Sequence, residues 1–162
     1  MTDLVDEEPR AIERATASVP LRVEVYRRDP RAAMPAYKTT GAAAFDLSAL
    51  DAVTIAAGDS VRVATGLVVK VPAGYFLGVF ARSSTATRGL ALGNGVGVID
   101  ADYCGPDDEL RVLVRNFGAA PMAIEAGERI AQAIVLPCPR AELVEVARPA
   151  APNRGGFGST GQ

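Results

Sequence analysis

The chain has 162 residues, 49% of them apolar and 22% charged, which suits one ordinary folded domain and excludes a disordered polymer. Its 17 basic and 19 acidic residues give a net charge of −2, and no basic run could follow a nucleic-acid backbone. The absence of histidine excludes Ser-His-Asp and Cys-His catalysis and His-ligated zinc. Any chemistry must use carboxylates, Arg, Lys, Tyr, Ser or Cys.

The two ends of the chain differ in composition from its middle. Residues 1–20 are acidic and lack a sustained apolar stripe, so we expect a flexible leader. No segment approaches the roughly 20 apolar residues of a membrane span. Two cysteines without a signal peptide predict a reduced, cytoplasmic protein.

From residue 21 onward, the pattern is that of short strands. Leu21, Val23 and Val25 alternate with polar or amphipathic residues, a period of two. Further β-rich runs are separated by Gly, Pro, Asp or Asn; they cover residues 53–55, 61–71, 75–81, 90–99, 110–117, 129–136 and 143–147. Seven or eight strands, with a brief helix at 84–88, predict an all-β domain over residues 21–147 of the sandwich, jelly-roll or barrel type.

A glycine-rich segment at residues 93–97 precedes two acidic residues, Asp100 and Asp102. We interpret the segment as a hairpin whose glycines let a ligand approach the backbone closely. The spacing alone leaves open whether one carboxylate faces a cavity or both are simply solvated.

Two further patterns combine polar side chains with apolar strands. Arg82 and the hydroxyls of Ser83 and Ser84 suit a phosphate, or form a helix N-cap beside a surface arginine. In a strand at residues 129–136, Gln132 faces away from Arg129, Ala131 and Ala133, among apolar neighbours. A buried amide must be hydrogen-bonded, here either to a neighbouring strand or to a catalytic water.

Residues 148–162 change to proline and glycine and cannot fold alone. They also hold Arg154, Phe157, Ser159 and Thr160 within seven positions. Glycines and hydroxyls can form an anion-binding nest, and an aromatic ring offers a face to a planar base. The segment predicts either a lid that closes on a ligand or a disordered tail.

Taken together, five segments resemble, in order, the five short motifs of the trimeric dUTP pyrophosphatase (dUTPase) family. They are residues 43–49 (AAFDLSA), 81–84 (ARSS), 97–103 (GVIDADY), 127–132 (GERIAQ) and 154–161 (RGGFGSTG). The resemblance covers about residues 21–162 and leaves out the leader.

The resemblance implies an all-β jelly roll, or distorted β-barrel, that forms a homotrimer. Each active site is then built from several chains, and the tail of one subunit covers the site of another. The implied reaction is hydrolysis of dUTP to dUMP and pyrophosphate, which lowers dUTP and supplies dUMP for thymidylate synthesis. Mg²⁺ enters on the triphosphate, without direct protein ligands. No nucleic-acid or membrane partner is implied.

The resemblance also assigns roles to individual residues. Asp100 occupies the position of the base that activates water, and Asp46 belongs to a structural motif. The implied substrate contacts are with phosphates (Arg82, Ser83, Gln132, Arg154, Ser159, Thr160), with uracil (Asn94, Phe157) and with the deoxyribose (Tyr103). Three further residues are implied to bind the substrate: Ser84, Val98 and Gly158.

The chain departs from the family pattern in three places. Ala81 and Ser84 stand where the second motif usually has Pro and Gly, and the added side chain at 84 could crowd a phosphate. Residues 106–108 are inserted before Glu109, and we expect them to lengthen a turn. Arg154 lies closer to the fifth-motif aromatic than is usual. These departures leave a non-catalytic, nucleotide-sensing regulatory trimer as the alternative; the motif of dCTP deaminases, which share the fold, is not found.

Overall fold

The computed structural model describes residues 21–153. Within this range the chain forms eleven strands and one five-residue helix. The strands are β1 (Glu24–Arg27), β2 (Phe45–Ser48), β3 (Val53–Ile55), β4 (Ser60–Ala64), β5 (Leu67–Lys70), β6 (Tyr75–Phe80), β7 (Leu90–Leu92), β8 (Gly97–Ile99), β9 (Arg111–Asn116), β10 (Met122–Ile124) and β11 (Arg129–Pro137); helix α1 is Ser83–Thr87. No helix in residues 21–153 is long and apolar enough to cross a membrane.

The strands form four antiparallel sheets. The largest has the order β2-β11-β6-β8 and the next β4-β9-β7, and two strand pairs, β1-β5 and β3-β10, complete the fold. β11 pairs with β2 through its first half and with β6 through its second half, and only Gln132 and Ala133 have partners on both sides, whereas β8 is an edge strand. The all-β fold predicted from the sequence, of the jelly-roll type, is confirmed.

The core lies between the inner faces of these sheets. Alternation along the strands selects its members: Phe45 and Leu47 of β2 are buried, whereas Asp46 between them is only half-buried. In β9, Val112 and Val114 are buried in the same way. Because successive side chains of a strand point to opposite faces, the polar side chains between these buried residues lie on the outer face of the sheet, where a site can form.

Two long predicted strands are each divided in two. The run 61–71 breaks at Gly66, which has a φ of 70°, a conformation that favours glycine. The run 90–99 breaks at residues 93–96, and β7 then pairs with β9 whereas β8 pairs with β6. The expected hairpin at residues 93–97 is therefore wrong: the turn connects strands of two different sheets.

Three other strand predictions also need correction. β2 and β10 were missed because they are short and poor in β-branched residues, unlike β3, whose three residues are Val, Thr and Ile. Residues 143–147 form no strand: this segment is exposed and pairs with nothing in the described part of the chain. The short helix is confirmed, one residue earlier than predicted.

A buried amide fastens two turns to this core. Asn116 is fully buried; its Nδ2 donates to the backbone oxygens of Ile55 (3.0 Å) and Ala120 (2.8 Å), and its Oδ1 accepts from the N–H of Gly118 (2.9 Å). We expect Asn116→Leu to lower the free energy of unfolding by about 2–4 kcal/mol, since three backbone groups lose their partner and the one at Ile55 is buried. Urea unfolding measures this change; a loss below about 0.5 kcal/mol, typical of a surface substitution, would contradict it.

Candidate active site

A carboxylate held by two arginines lies at one end of the largest sheet. Oδ1 of Asp46 accepts from Nε of Arg82 (2.9 Å), and Oδ2 accepts from Nη1 of Arg129 (2.8 Å). Nη1 of Arg82 also donates to the backbone oxygen of Arg129 (3.1 Å). These three residues, with Gln132, are called the Asp46 cluster below. Two guanidinium groups around one carboxylate leave a net positive charge, which suits an anion.

Gln132 lies in the same cluster because of strand register. It is opposite Asp46 on β2 and opposite Phe80 on β6. Its Nε2 donates to the backbone oxygen of Ala81 (2.9 Å), directly after β6 ends. The amide therefore fixes the segment that leads into Arg82, which is the strand-holding contact that the sequence left open.

A β-bulge decides which way Arg129 faces. The pairing of β11 with β2 shifts register between Arg129 and Ala131. Ala131 and Ala133 are fully buried, whereas the side chain of Arg129 is exposed and reaches Asp46. The expectation that Arg129 shares a face with these alanines is therefore wrong, because one extra residue in a strand reverses the alternation.

The two serines of the second motif lie in the first turn of α1, and both are exposed. The alternative interpretation, in which one of these serines is the helix N-cap, is wrong. Arg82 takes the N-cap position, and its N–H donates to Oγ1 of Thr85 (3.0 Å). Nη1 of Arg82 lies 3.4 Å from Oγ of Ser84. The arrangement leaves the hydroxyl of Ser84 beside the guanidinium of Arg82.

Asp100 lies in a groove at the other end of the same sheet. It follows β8, whose last residue, Ile99, pairs with Leu77 near the start of β6. Asp100 and Asp102 both line this groove, called the Asp100 groove below, together with Tyr75 and Phe76 of β6 and residues 138–140. Both carboxylates lie in a turn and are exposed.

The residues expected to contact uracil and the sugar follow the edge strand β8. Asn94 lies in the turn before it, and Val98, on the strand itself, is 61% exposed. Tyr103 comes after the Asp100 turn; its N–H donates to the backbone oxygen of Asp100 (3.2 Å) and its Oη to that of Glu109 (3.3 Å). Because β8 is an edge strand, one side of its backbone does not pair with β6.

The Asp46 cluster and the Asp100 groove are far apart within one chain. Asp100 lies beside the start of β6, whereas Arg82 comes two residues after its end at Phe80. Six residues of extended chain span about 20 Å. One chain therefore does not bring Asp100 together with Arg82 and Gln132.

The structure does not test two parts of the sequence prediction, because they lie outside the described residues. These are the leader at residues 1–20 and the fifth-motif residues Arg154, Phe157, Gly158, Ser159 and Thr160. Sequence reasoning missed the contact of Arg129 with Asp46, although Arg129 is part of the fourth motif. The β-bulge turns the Arg129 side chain towards Asp46, and no signal in the sequence marks the position of this bulge.

The fold and these two groups of residues define an all-β jelly-roll protein with an arginine cluster and a carboxylate groove at opposite ends of one sheet. The model of the dUTPase family matches residues 30–161. The chain belongs to the dUTPase family, as the five motifs predicted.

Named relatives and solved structures agree with this assignment. The chain is 44% identical to deoxyuridine 5'-triphosphate nucleotidohydrolase of Desulfitobacterium hafniense, over 89% of this chain and 97% of that protein. It is 38% identical to the protein of that name from Wolinella succinogenes, over 88% and 95%. The crystal structure of dUTPase from Streptococcus mutans has a TM-score of 0.68 at 32% identity, covering 74% and 98%. A Staphylococcus bacteriophage 80alpha dUTPase with dUpNHpp has a TM-score of 0.78 at 23% identity, covering 87% and 99%, and shares the fold.

Proposed function

We propose that the protein hydrolyses dUTP to dUMP and pyrophosphate, at sites that combine the Asp100 groove of one subunit with the Asp46 cluster of another. The observation that carries this proposal is the separation of about 20 Å along β6, since a nucleotide that needs both groups must lie between two chains. The names of the relatives support the substrate. The reaction lowers dUTP and supplies dUMP.

In this proposal, Asp100 orients a water molecule and takes its proton as the water oxygen attacks the α-phosphorus. The new P–O bond forms while the bond from the α-phosphorus to the bridging oxygen breaks, and pyrophosphate leaves. The exposed position of Asp100 in an open groove supports the role, because a general base must reach both water and substrate.

The phosphates are assigned to the Asp46 cluster and the start of α1. Arg82 contributes charge, and Ser83, Ser84 and Gln132 contribute hydrogen bonds as negative charge develops on the phosphate oxygens. Asp46 and Arg129 hold Arg82 in place, which supports its use as a preorganised donor.

Mg²⁺ is proposed to bind with the triphosphate, because it prefers oxygen ligands and retains several waters. When bound, the cation supplies charge neutralisation on the phosphate oxygens. In residues 21–153, no group of three His, Cys, Asp or Glu side chains is positioned to hold a metal. Both oxygens of Asp46 accept hydrogen bonds from arginines, so this carboxylate suits positioning better than ligation.

The base and the sugar are assigned to β8 and the residues around it. The edge backbone near Asn94 and Val98 offers donors and acceptors to the uracil edge. Tyr103 packs beneath the deoxyribose and leaves no room for a 2′-hydroxyl. Phe157 of a further subunit stacks on the base, and Arg154, Gly158, Ser159 and Thr160 close on the nucleotide as part of the lid at residues 148–162.

The assembly that satisfies these assignments is a homotrimer, in which cyclic symmetry repeats one composite site three times. Cys104 and Cys138 are both free thiols, which suits the reducing cytoplasm. The leader at residues 1–20 has no role in the proposal.

Pyrophosphate release from dUTP, dCTP, dTTP and UTP with Mg²⁺ tests the function. We expect turnover of dUTP alone, since the site discriminates at both the base and the sugar. Tight binding of dUTP without turnover would overturn the proposal in favour of the regulatory trimer. Ammonia release from dCTP would indicate a deaminase.

A further inference from the structure

Arg28 binds the turn at residues 106–108, the three-residue insertion relative to the family pattern. It directly follows β1, and its side chain reaches the inserted residues 106–108. Its Nε donates to the backbone oxygen of Pro106 (2.8 Å), and its Nη2 pairs with Oδ1 of Asp107 (2.9 Å). Its Nη1 lies 3.7 Å from Oε2 of Glu109. One side chain therefore contacts both the insertion and the residue that follows it.

The far end of the turn is fixed to the core. Glu109 is buried; its Oε1 accepts from the N–H of Gly66 (2.8 Å) and its Oε2 from Nε of Arg111 (2.8 Å). Within the turn, Oδ2 of Asp108 accepts from the N–H of Gly105 (2.7 Å). The inserted residues thus lie between Gly105 and an anchored carboxylate.

Tyr103 depends on this turn for its position. It is 42% exposed, and its hydroxyl donates to the backbone oxygen of Glu109 over 3.3 Å, a long hydrogen bond. This is the one side-chain hydrogen bond of Tyr103 in the described part of the chain. Its orientation therefore follows the backbone between Asp100 and Glu109, a path that the insertion makes three residues longer. A longer connection has more conformations to lose unless a side chain restrains it.

We propose that Arg28 is a positioning residue for Tyr103, and that through the inserted turn it sets the discrimination between deoxyribose and ribose. The inference rests on the proposed function, in which Tyr103 packs beneath the sugar. Arg28 itself does not touch the substrate.

The contacts differ in expected strength. Asp107 is 91% exposed, and an exposed ion pair contributes little, so Asp107→Asn alone is expected to change the kinetics by less than about twofold. Arg28→Ala removes the bond to Pro106 as well. Glu109 keeps Gly66 and Arg111 as partners in that variant, so we expect the fold to persist.

The test measures kcat and KM of Arg28→Ala for dUTP and UTP, beside Arg27→Ala. Arg27 is the matched control, because it is exposed and the one hydrogen bond of its side chain among the described residues is to the backbone oxygen of Pro30 (3.5 Å). We expect the kcat/KM ratio of dUTP to UTP to fall about tenfold in Arg28→Ala, mainly because kcat/KM for UTP rises when Tyr103 no longer excludes the 2′-hydroxyl, and to stay unchanged in Arg27→Ala. Arg28→Lys keeps the charge but offers one nitrogen in place of the two that contact Pro106 and Asp107, and is expected to be intermediate.

Three outcomes would overturn the inference: an unchanged ratio in Arg28→Ala, an equal change in Arg27→Ala, or a lower melting temperature with equal losses for both nucleotides. If Arg28→Ala does not fold, Asp108→Ala releases the turn from Gly105 and must lower the ratio instead.

The activity of the wild type distinguishes failure of this inference from failure of the proposed function. Without dUTP turnover by the wild type both fail, whereas turnover with an unchanged ratio in the variants defeats the inference alone.

Discussion

Asp100→Asn is expected to bind dUTP as the wild type does and to lose on the order of 10²-fold or more in kcat, the contribution of a positioned general base. The amide keeps the shape of the carboxylate and its place after β8, but it cannot accept a proton from water. Pyrophosphate release under single-turnover conditions measures the rate, and equilibrium dialysis with dUTP measures binding.

Asp102→Asn is the matched control, because Asp102 lines the same groove two residues away and is also exposed. We expect it to retain turnover within about threefold, as for a change that removes no proton acceptor from the reaction. If the two variants lose the same activity, the groove acts through its total charge. If Asp100→Asn loses binding and keeps its rate per bound nucleotide, Asp100 is not the base.

Arg82→Ala is expected to cause the second large loss of kcat. A preorganised cation at a developing phosphate charge is worth about 10²–10³-fold in kcat. Asp46 holds Arg82 through its Nε, so Asp46→Asn is expected to lose part of the same effect by releasing the guanidinium. The two losses are not expected to add, because the residues act as one unit.

A double-mutant cycle over Arg82→Ala and Asp46→Asn measures this coupling from kcat/KM. Arg62→Ala, on β4 of the other large sheet, is the control for loss of an exposed arginine, and we expect wild-type kinetics from it. Strictly additive losses would show that Asp46 does not act through Arg82, and an inactive Arg62→Ala would show that net charge decides the rate.

The sequence predicted the parts of the fold that depend on local alternation. β3 was predicted with its observed bounds, and the runs around β6, β9 and β11 lie within one or two residues of theirs. The pairing of β7 and β8 with different strands was not predictable, because a tight glycine turn between two β-rich runs looks the same whether or not the runs pair. Residues 143–147 show the opposite error: an alternating pattern forms a strand only where a partner strand exists.

The site was predictable as a set of residues and not as a geometry. Asp100, Arg82 and Gln132 were found because each belongs to a motif. Arg129 was placed on the wrong face, since a bulge changes the alternation without a mark in the sequence. The separation of Asp100 from Arg82 follows from strand register, which requires the whole sheet.

The composite site is tested most directly by mixing two inactive variants. Asp100→Asn and Arg82→Ala subunits are unfolded together, refolded at equal concentrations and assayed for pyrophosphate release from dUTP, beside each variant refolded alone. Random assortment in a cyclic oligomer gives about one quarter of the sites an intact Asp100 from one subunit and an intact Arg82 from its neighbour. We predict that the mixture regains roughly that fraction of wild-type activity. Activity no greater than the average of the two parents would show that both residues act from the same chain.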